Sequence, residues 1–278
     1  MRSGLFGLFK MAVKNTINLC LSRRLRLMVG RYLLDKACAD NDDNPETNGE
    51  YYLLEVLLNS KKGVKTVFDV GANLGDWALK ACSFLGRDSV LYAFEPVKAT
   101  FEALSNNVTG VVKPYNFALG EDNGESVVYI SKEYAGTNSL IFNDYAGHSN
   151  KSEKILVRNG DSFCEENKIG RINLLKIDTE GYELSVLAGF QRMLKERRVD
   201  FVQFEYGGTW IYSRSLLKDA FMLFQGNNYR IGKIHPNFLE IFDQYDPKSE
   251  NFSYSNWLAF YSEVDVPIKT LPHIRVSP

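Results

Sequence analysis

Short apolar runs alternate along most of the chain with longer stretches whose apolar residues recur every three or four positions. The run Thr66 to Gly75 (TVFDVGANLG) followed by DWALKACSFL reads as strand, glycine turn and helix. Glu50 to Asn59 carries helical spacing ahead of it. Ser89 to Glu95 predicts a second strand, and Pro96 opens the helix VKATFEALSNN. Val111 to Leu119 predicts a third strand, and Ile172 to Asp178 a fourth, turning into the helix ELSVLAGFQRMLKER. Asp200 to Tyr206 predicts a fifth strand before the helix SLLKDAFMLFQGN, and Tyr229 to Ile234 and Trp257 to Tyr261 read as the last two strands, antiparallel partners at one edge. SVVYI and EKILVRN are β-like and enclose the polar stretch Ser131 to Ser152, which predicts a hairpin-like insertion over about 124–160 with a long loop. This order predicts an α/β fold: a mostly parallel sheet with helices on both faces.

The first forty residues break the pattern. Arg2, Lys10, Lys14, Arg23, Arg24, Arg26, Arg31 and Lys36 stand among Leu, Phe, Ile and Met, with Asp35 and Asp40 as the only acids. Leu5 to Phe9 is too short to span a membrane, and no small-residue cleavage site follows a long apolar core. Two readings stay open for this basic helical segment. It packs on the main domain with its charges outward, which is favoured because charged faces are usually only solvated, or it makes peripheral contact with an anionic membrane or a partner through residues 1–40. Ala39 to Gly49 has the composition of a linker. The expected organisation is therefore a basic amphipathic segment and linker over 1–48, one α/β domain over 49–265, and a loose tail over 266–278.

Composition adds mainly exclusions. In 278 residues, 45% hydrophobic and 24% charged with a net charge of −1, no overall field recruits nucleic acid. Cys20, Cys38, Cys82 and Cys164 form no CxxC pair and three histidines make no cluster, so a reducing, cytoplasmic setting without a zinc site or disulfides is the default.

In an open α/β sheet, ligands bind beyond the carboxyl ends of the strands. The informative residues are therefore Asp69, Gly71, Asn73 and Gly75 after the first strand, Glu95 after the second, Asn116 to Leu119 in the third, Asp178 and Glu180 after the fourth, and Glu205 in the fifth. Glu95 suits hydrogen bonds from a ribose diol. The turn departs from GxGxxG, with Asn73 where a glycine would stand, which is tolerable because Asn enters the left-handed region readily. Asp69 beside it suits a cationic or amino-bearing ligand better than a phosphate. In Lys176-Ile177-Asp178-Thr179-Glu180-Gly181-Tyr182-Glu183, two acids meet the ligand edge, and a buried Lys176 calls for an acid partner.

VFDVGANLGDWALKA, YAFEPVKATFEALSNN, NFALG and LLKIDTEGYELSVLAGF, in this order and spacing, resemble the FkbM family of S-adenosylmethionine-dependent methyltransferases across about Val67 to Phe190. The resemblance implies a class I methyltransferase (Rossmann-like) fold, a seven-stranded sheet with its last strand antiparallel. It implies O-methylation of a sugar, glycan or other hydroxyl-bearing small molecule, with S-adenosylmethionine as donor. Carried over by position, Asp69, Gly71, Asn73 and Gly75 would face the methionine part, Glu95 the ribose, and Asn116 to Ala118 the adenine. Asp178 and Glu180 would stand at the transfer centre, and Thr137, Asn138 and Ser139 match the family's small polar segment on the substrate side. Asp161 matches an acid usually preceded by Leu; Gly160 stands there instead, which puts a role for Asp161 in doubt and could loosen the strand end. The candidate bases are Asp178, Glu180, Glu205 and His235, in that order. Asp178 with Glu205 makes only a thin case for a divalent metal, so no metal is assigned. The rival functions are an NAD-dependent sugar dehydrogenase or epimerase and a non-catalytic adaptor of the same fold.

Overall fold

The computed structural model describes residues 22–60, 63–131, 136–144, 147 and 151–274. Most of the first forty residues and the end of the tail thus lie outside the described residues. After α1 (Arg23–Cys38) and α2 (Glu50–Ser60), β1 (Thr66–Val70), α3 (Asp76–Cys82), β2 (Val90–Phe94), α4 (Lys98–Asn107) and β3 (Val112–Tyr115) form the first half of the sheet. The second half follows as β7 (Ile172–Ile177), α6 (Glu183–Gly189), α7 (Gln191–Lys195), β8 (Val199–Tyr206), α8 (Trp210–Ser213), α9 (Leu217–Gly226), β9 (Tyr229–His235), β10 (Phe238–Phe242), β11 (Ser255–Tyr261) and β12 (Thr270–Pro272).

The sheet has nine strands in the order β12-β10-β9-β11-β8-β7-β1-β2-β3, not seven. β11 runs antiparallel to both β8 and β9, so the last two expected strands do pair, but inside the sheet. The edge beyond them is made by β10, which folds back on β9, and by β12, from the tail expected to be loose. The third predicted strand divides at Asn116. Its first part stays in the sheet; Ala118–Gly120 (β4) leaves it to pair with β6 (Ser152–Asn159), itself antiparallel to β5 (Gly124–Tyr129). A small three-stranded sheet results, standing at the carboxyl ends of the main strands.

Strand alternation sends side chains to two faces. On one, Phe163 of α5 (Gly160–Glu166) has the rings of Phe68, Tyr92, Phe94, Tyr115 and Phe117 within 5.1 to 5.9 Å. Such aromatic pairs contribute about 0.5–1.5 kcal/mol each beyond their area. On the other face, Leu53, Leu54, Leu57 and Leu58 of α2 pack with Val67, Trp77, Ala78 and Leu91. That face also carries Asp69, Lys176 and Gln203 in one row across β1, β7 and β8.

The predicted helix after β7 breaks at Phe190, because Gly189 lies against the Gly120 carbonyl, where a Cβ would come within 2.1 Å of the oxygen. Asp161 restarts it: its carboxylate accepts from the backbone N–H of Arg192 at 2.7 Å and Met193 at 3.0 Å. Gly160 passes under the Phe190 ring, whose atoms a Cβ would meet at 2.6 Å. The Gly160-Asp161 departure therefore tightens the junction rather than loosening it. The linker is also stitched down, with Asp40 buried in an ion pair with Lys233 and Asn41 N–H donating to the Tyr254 carbonyl at 2.8 Å. Among the described residues no helix is long and apolar enough to cross a membrane.

Candidate active site

The turn after β1 is shaped by the protein's own close contacts. Gly71 has φ +83°, and a Cβ there would lie 1.8 Å from the Asp178 carbonyl oxygen, so the ends of β1 and β7 cross too closely for any side chain. Gly75, at φ +92°, lies against Leu104 and Val108 of the α4 side, with Cβ approaches of 2.7 and 2.9 Å. Between them Asn73 adopts φ 47°, the left-handed conformation expected of it. Glu95 receives the turn, accepting from Asn73 N–H at 3.1 Å and from Val97 N–H at 2.9 Å.

Beyond these strand ends lies a cavity of about 570 Å³ counting its open mouth. One wall is Gly71, Asn73, Glu95, Asp178 and Glu180; the other is Ala118, Val128, Asn138 and Leu140 from the small sheet and its loop. Thr100 Oγ1 and Asn73 Oδ1, both on lining residues, are buried without a hydrogen-bond partner. Buried polar atoms left unpaired cost about 1–3 kcal/mol each, so both mark places where a polar ligand would satisfy the site.

Below the acid wall, Lys176 Nζ lies 3.4 Å from Asp69 Oδ1 and 3.1 Å from Asp178 Oδ2, the acid partner its burial requires. Burial alone would lower its pKa, but Asp178, Asp69 and Glu50 raise it, so the ammonium is held. Asp178, Glu180 and Glu205 bring carboxylate oxygens within 4.8 Å of one another. One lysine cannot neutralise all of them. Burial first, then Asp178 and Glu183, pushes Glu180 up to about 8, and burial with Asp178 carries Glu205 well above the usual range.

The loop carrying Glu180 is tied from two sides. Glu180 sits at φ 57°, which costs a non-glycine residue on the order of 1–3 kcal/mol. Ser139 Oγ donates to the Glu180 carbonyl at 2.7 Å, and the buried Glu183 carboxylate accepts from Thr179 N–H at 2.8 Å and Gly181 N–H at 3.0 Å. Burial pushes Glu183 to about 7 against those hydrogen bonds, and Glu95 to about 7 in the same way. A carboxyl raised in the folded state stabilises fully below its unfolded pKa, and that contribution is lost as pH rises through the folded value. The ligand-free protein should therefore lose stability as pH rises from about 4.5, where these carboxyls ionise in the unfolded chain, to about 8, by on the order of 1 kcal/mol per pH unit per titrating group. Differential scanning fluorimetry across that range checks it, and Glu183→Gln should flatten the slope.

The structure brings Gly71, Asn73, Glu95, Ala118, Asn138, Asp178 and Glu180 to one cavity, with Glu205 behind them in the acid cluster. It removes others from contact. Asp69 is fully buried and faces the site only through Lys176. Gly75 packs against α4, as above. Asn116 is exposed and donates to the carbonyls of Glu95 and Pro96 at 3.0 and 2.9 Å, bracing the loop after β2 from outside. Thr137 is exposed beside Ser131, and Ser139 is turned to the Glu180 carbonyl. His235 is no base candidate: it is buried, stacked on Phe238 at 4.2 Å and paired with Glu240 at 3.0 Å. Residues missed from sequence include Thr100, on the helix that Pro96 opens, and Tyr182, inside the KIDTEGYE motif; both follow strand ends and could have been found there. Val128 and Leu140 enter through long-range pairing that carries no local signal.

A profile of the methyltransferase FkbM domain matches residues 69–231. The chain is 30% identical over 161 residues to the hexuronic acid methyltransferase AglP of Haloferax volcanii, covering 56% of this chain and 62% of that protein. It is 26% identical over 144 residues to methyltransferase 1 of Beauveria bassiana, covering 44% and 57% respectively. The chain thus spans less than two thirds of the length of either relative. Among solved structures, a SAM-dependent methyltransferase from Agrobacterium tumefaciens overlays with a TM-score of 0.43 at 8% identity, covering 79% of this chain and 63% of that one. Fibrillarin from Aeropyrum pernix with natively bound S-adenosyl-L-methionine overlays with a TM-score of 0.40 at 13% identity, covering 76% of each. With the profile spanning more than half of its length and both signature motifs at the cavity, the chain belongs to the FkbM family of methyltransferases.

Proposed function

We propose that the chain transfers a methyl group from S-adenosylmethionine to a hydroxyl of a saccharide or similar small molecule. The observation that carries this is the convergence of Asp178, Glu180 and Glu205 on a cavity whose far end holds Glu95. The Asp178 carboxylate, with Glu180 able to ionise beside a bound cation, attracts a cation and an amino group and repels a pyrophosphate, which speaks against a dinucleotide. The residues fit the donor: Glu95 has acceptor capacity left for a ribose diol, Asn73 Oδ1 and Thr100 Oγ1 are free to bond polar groups, and Asp178 and Glu180 stand where a sulfonium and an amino group gain most. When bound, that donor supplies an electrophilic methyl on a positively charged sulfur.

The chain's own contribution is alignment and proton handling. Aligning nucleophile and electrophile at near-attack distance supplies much of the acceleration, because the entropy of encounter is met on binding. Asp178, ion-paired to Lys176 at the cavity wall, accepts the acceptor's proton on a carboxylate oxygen as the new carbon–oxygen bond forms. Glu205, which keeps its own proton, donates a hydrogen bond into the cluster and steadies the charge on Asp178.

AglP is named for a hexuronic acid, which supports a sugar-type acceptor. The acid wall favours a neutral hydroxyl over a carboxylate as the reacting group. Isothermal titration should show S-adenosylmethionine binding that weakens about 10–100-fold in Glu95→Ala, since hydrogen bonds to a charged group contribute about 1.5–3 kcal/mol. Labelled donor with neutral glycosides and with hexuronic acids, followed by NMR of the product, should yield a methyl ether. A methyl ester would overturn the hydroxyl reading, and unchanged binding by Glu95→Ala would overturn the cofactor site.

A further inference from the structure

Helix α1 is a complete helix that the domain does not use. Ser22 caps its start, accepting from Leu25 N–H at 3.3 Å, and Ala39 ends it at φ 52°, yet none of its sixteen residues is buried. Of the basic segment, residues 1–21 lie outside the described residues, and the described helix packs no buried side chain on the main domain. It is held at its C-terminal end and along one side, through the Asp40–Lys233 pair, the Asn41–Tyr254 backbone bond and an Arg31 hydrogen bond to Ser253 Oγ at 3.2 Å.

What it leaves uncovered has a pattern. Leu25, Met28, Val29, Tyr32 and Leu33 recur at the spacing of one helix face, within an arc of about 140° at 100° per residue. Their side chains are between 41% and 62% exposed. Arg24 and Arg31 border that arc on one side and Arg26 on the other; Arg23 begins the helix, Lys36 falls within the arc at its last turn, and Leu27 and Leu34, 64% and 58% exposed, lie on the far side. The helix carries five basic residues and one acid; Arg31 pairs with Asp35 at 3.0 Å and Lys36 with Asp42 at 3.3 Å, so Arg23 and Arg24 at its start carry most of the attraction to an anionic surface. A broad apolar stripe between cationic margins matches the boundary of an anionic bilayer, where aliphatic and aromatic side chains enter the acyl region and the arginines meet headgroup phosphates. A nucleic acid would leave the stripe wet. A helix of this length and charge lies on a membrane and does not cross it.

We propose that α1 is a peripheral membrane-docking surface that seats the protein on anionic lipid through the Leu25–Leu33 stripe. Its root beside Asn41 and Tyr254 holds it next to the strand that pairs with Glu205, so docking orients that side of the site relative to the bilayer. This inference does not depend on the proposed reaction.

The test uses the full chain in sedimentation with vesicles of phosphatidylcholine alone and of phosphatidylcholine mixed with phosphatidylglycerol. Wild type should pellet with the anionic vesicles and stay in solution with the neutral ones. Met28→Glu/Tyr32→Glu, which removes the stripe, and Arg23→Glu/Arg24→Glu, which removes charge, should each reduce binding about tenfold or more, as expected when apolar insertion and headgroup attraction act together. Both variants lie at exposed positions and should keep the wild-type melting temperature, so lost binding will not reflect unfolding. Absence of anionic vesicle binding by wild type, or equal binding by wild type and Met28→Glu/Tyr32→Glu, overturns the proposal. So does a dimer seen by light scattering that the stripe variant abolishes while vesicle binding is absent; the occupant is then a second copy of the chain.

Discussion

Gly71→Ala should be the most damaging single methyl that can be added to this protein. The new Cβ would stand 1.8 Å from the Asp178 carbonyl oxygen, in a backbone conformation with φ +83°. The left-handed conformation alone costs about 1–2 kcal/mol for a residue with a Cβ. The clash adds an overpacking cost of about 1–3 kcal/mol or more, because neither strand end can move without breaking the central pairing. The expected result is a melting temperature lower by roughly 10 °C or more, from about 2–4 °C per kcal/mol for a domain of this size, with donor binding lost in what still folds. Gly110→Ala separates the two causes. Gly110 also has positive φ, at +71°, but nothing lies within 4 Å of its Cβ position, so only the conformational cost remains. Calorimetry placing Gly71→Ala no lower than Gly110→Ala would falsify the account of the turn.

Asp178→Asn should lower kcat about 10²–10⁴-fold, the range for removing a positioned general base. Donor affinity should change far less, because Glu95 and the rest of the cavity remain. Glu205→Gln is the informative partner. Burial and Asp178 keep the Glu205 carboxyl protonated, and glutamine reproduces the shape and donor of a neutral acid. Its kcat should stay within about tenfold of wild type, since a base's contribution is untouched. Equal losses in the two variants, measured by steady-state kinetics at saturating donor, would mean that the cluster shares the proton and that Asp178 is not its sole acceptor.

The turn after β1 was readable because it is local. Glu95 follows from its place after a strand, and the left-handed Asn73 was anticipated from its residue type alone, whereas Asp69 proved buried beneath the cavity wall. The glycines were legible as necessary but for a different reason: each is required by a neighbouring part of the protein, Asp178 for Gly71 and α4 for Gly75. Distance from the turn in sequence hid those neighbours. His235, the last of the candidate bases, loses its ring to Phe238 and Glu240, a few residues on. The tail could not be read as an edge strand because Thr270–Pro272 is short and contains proline; only β10 beside it gives those residues a ladder. The division of the third strand at Asn116 was equally hidden, since the partner of Ala118–Gly120 lies near Val157.

The two walls of the cavity come from different sheets. The acids belong to the nine-stranded one, whereas Val128, Asn138 and Leu140 arrive from β5 of the small sheet and the loop that joins it to β6. For a protein engineer this divides the labour cleanly. Changes at Val128, Asn138 or Leu140 should reshape one wall of the cavity while the acids of the other keep their positions, provided Ser139 still holds the Glu180 carbonyl. One wall can thus be re-cut without recutting the other.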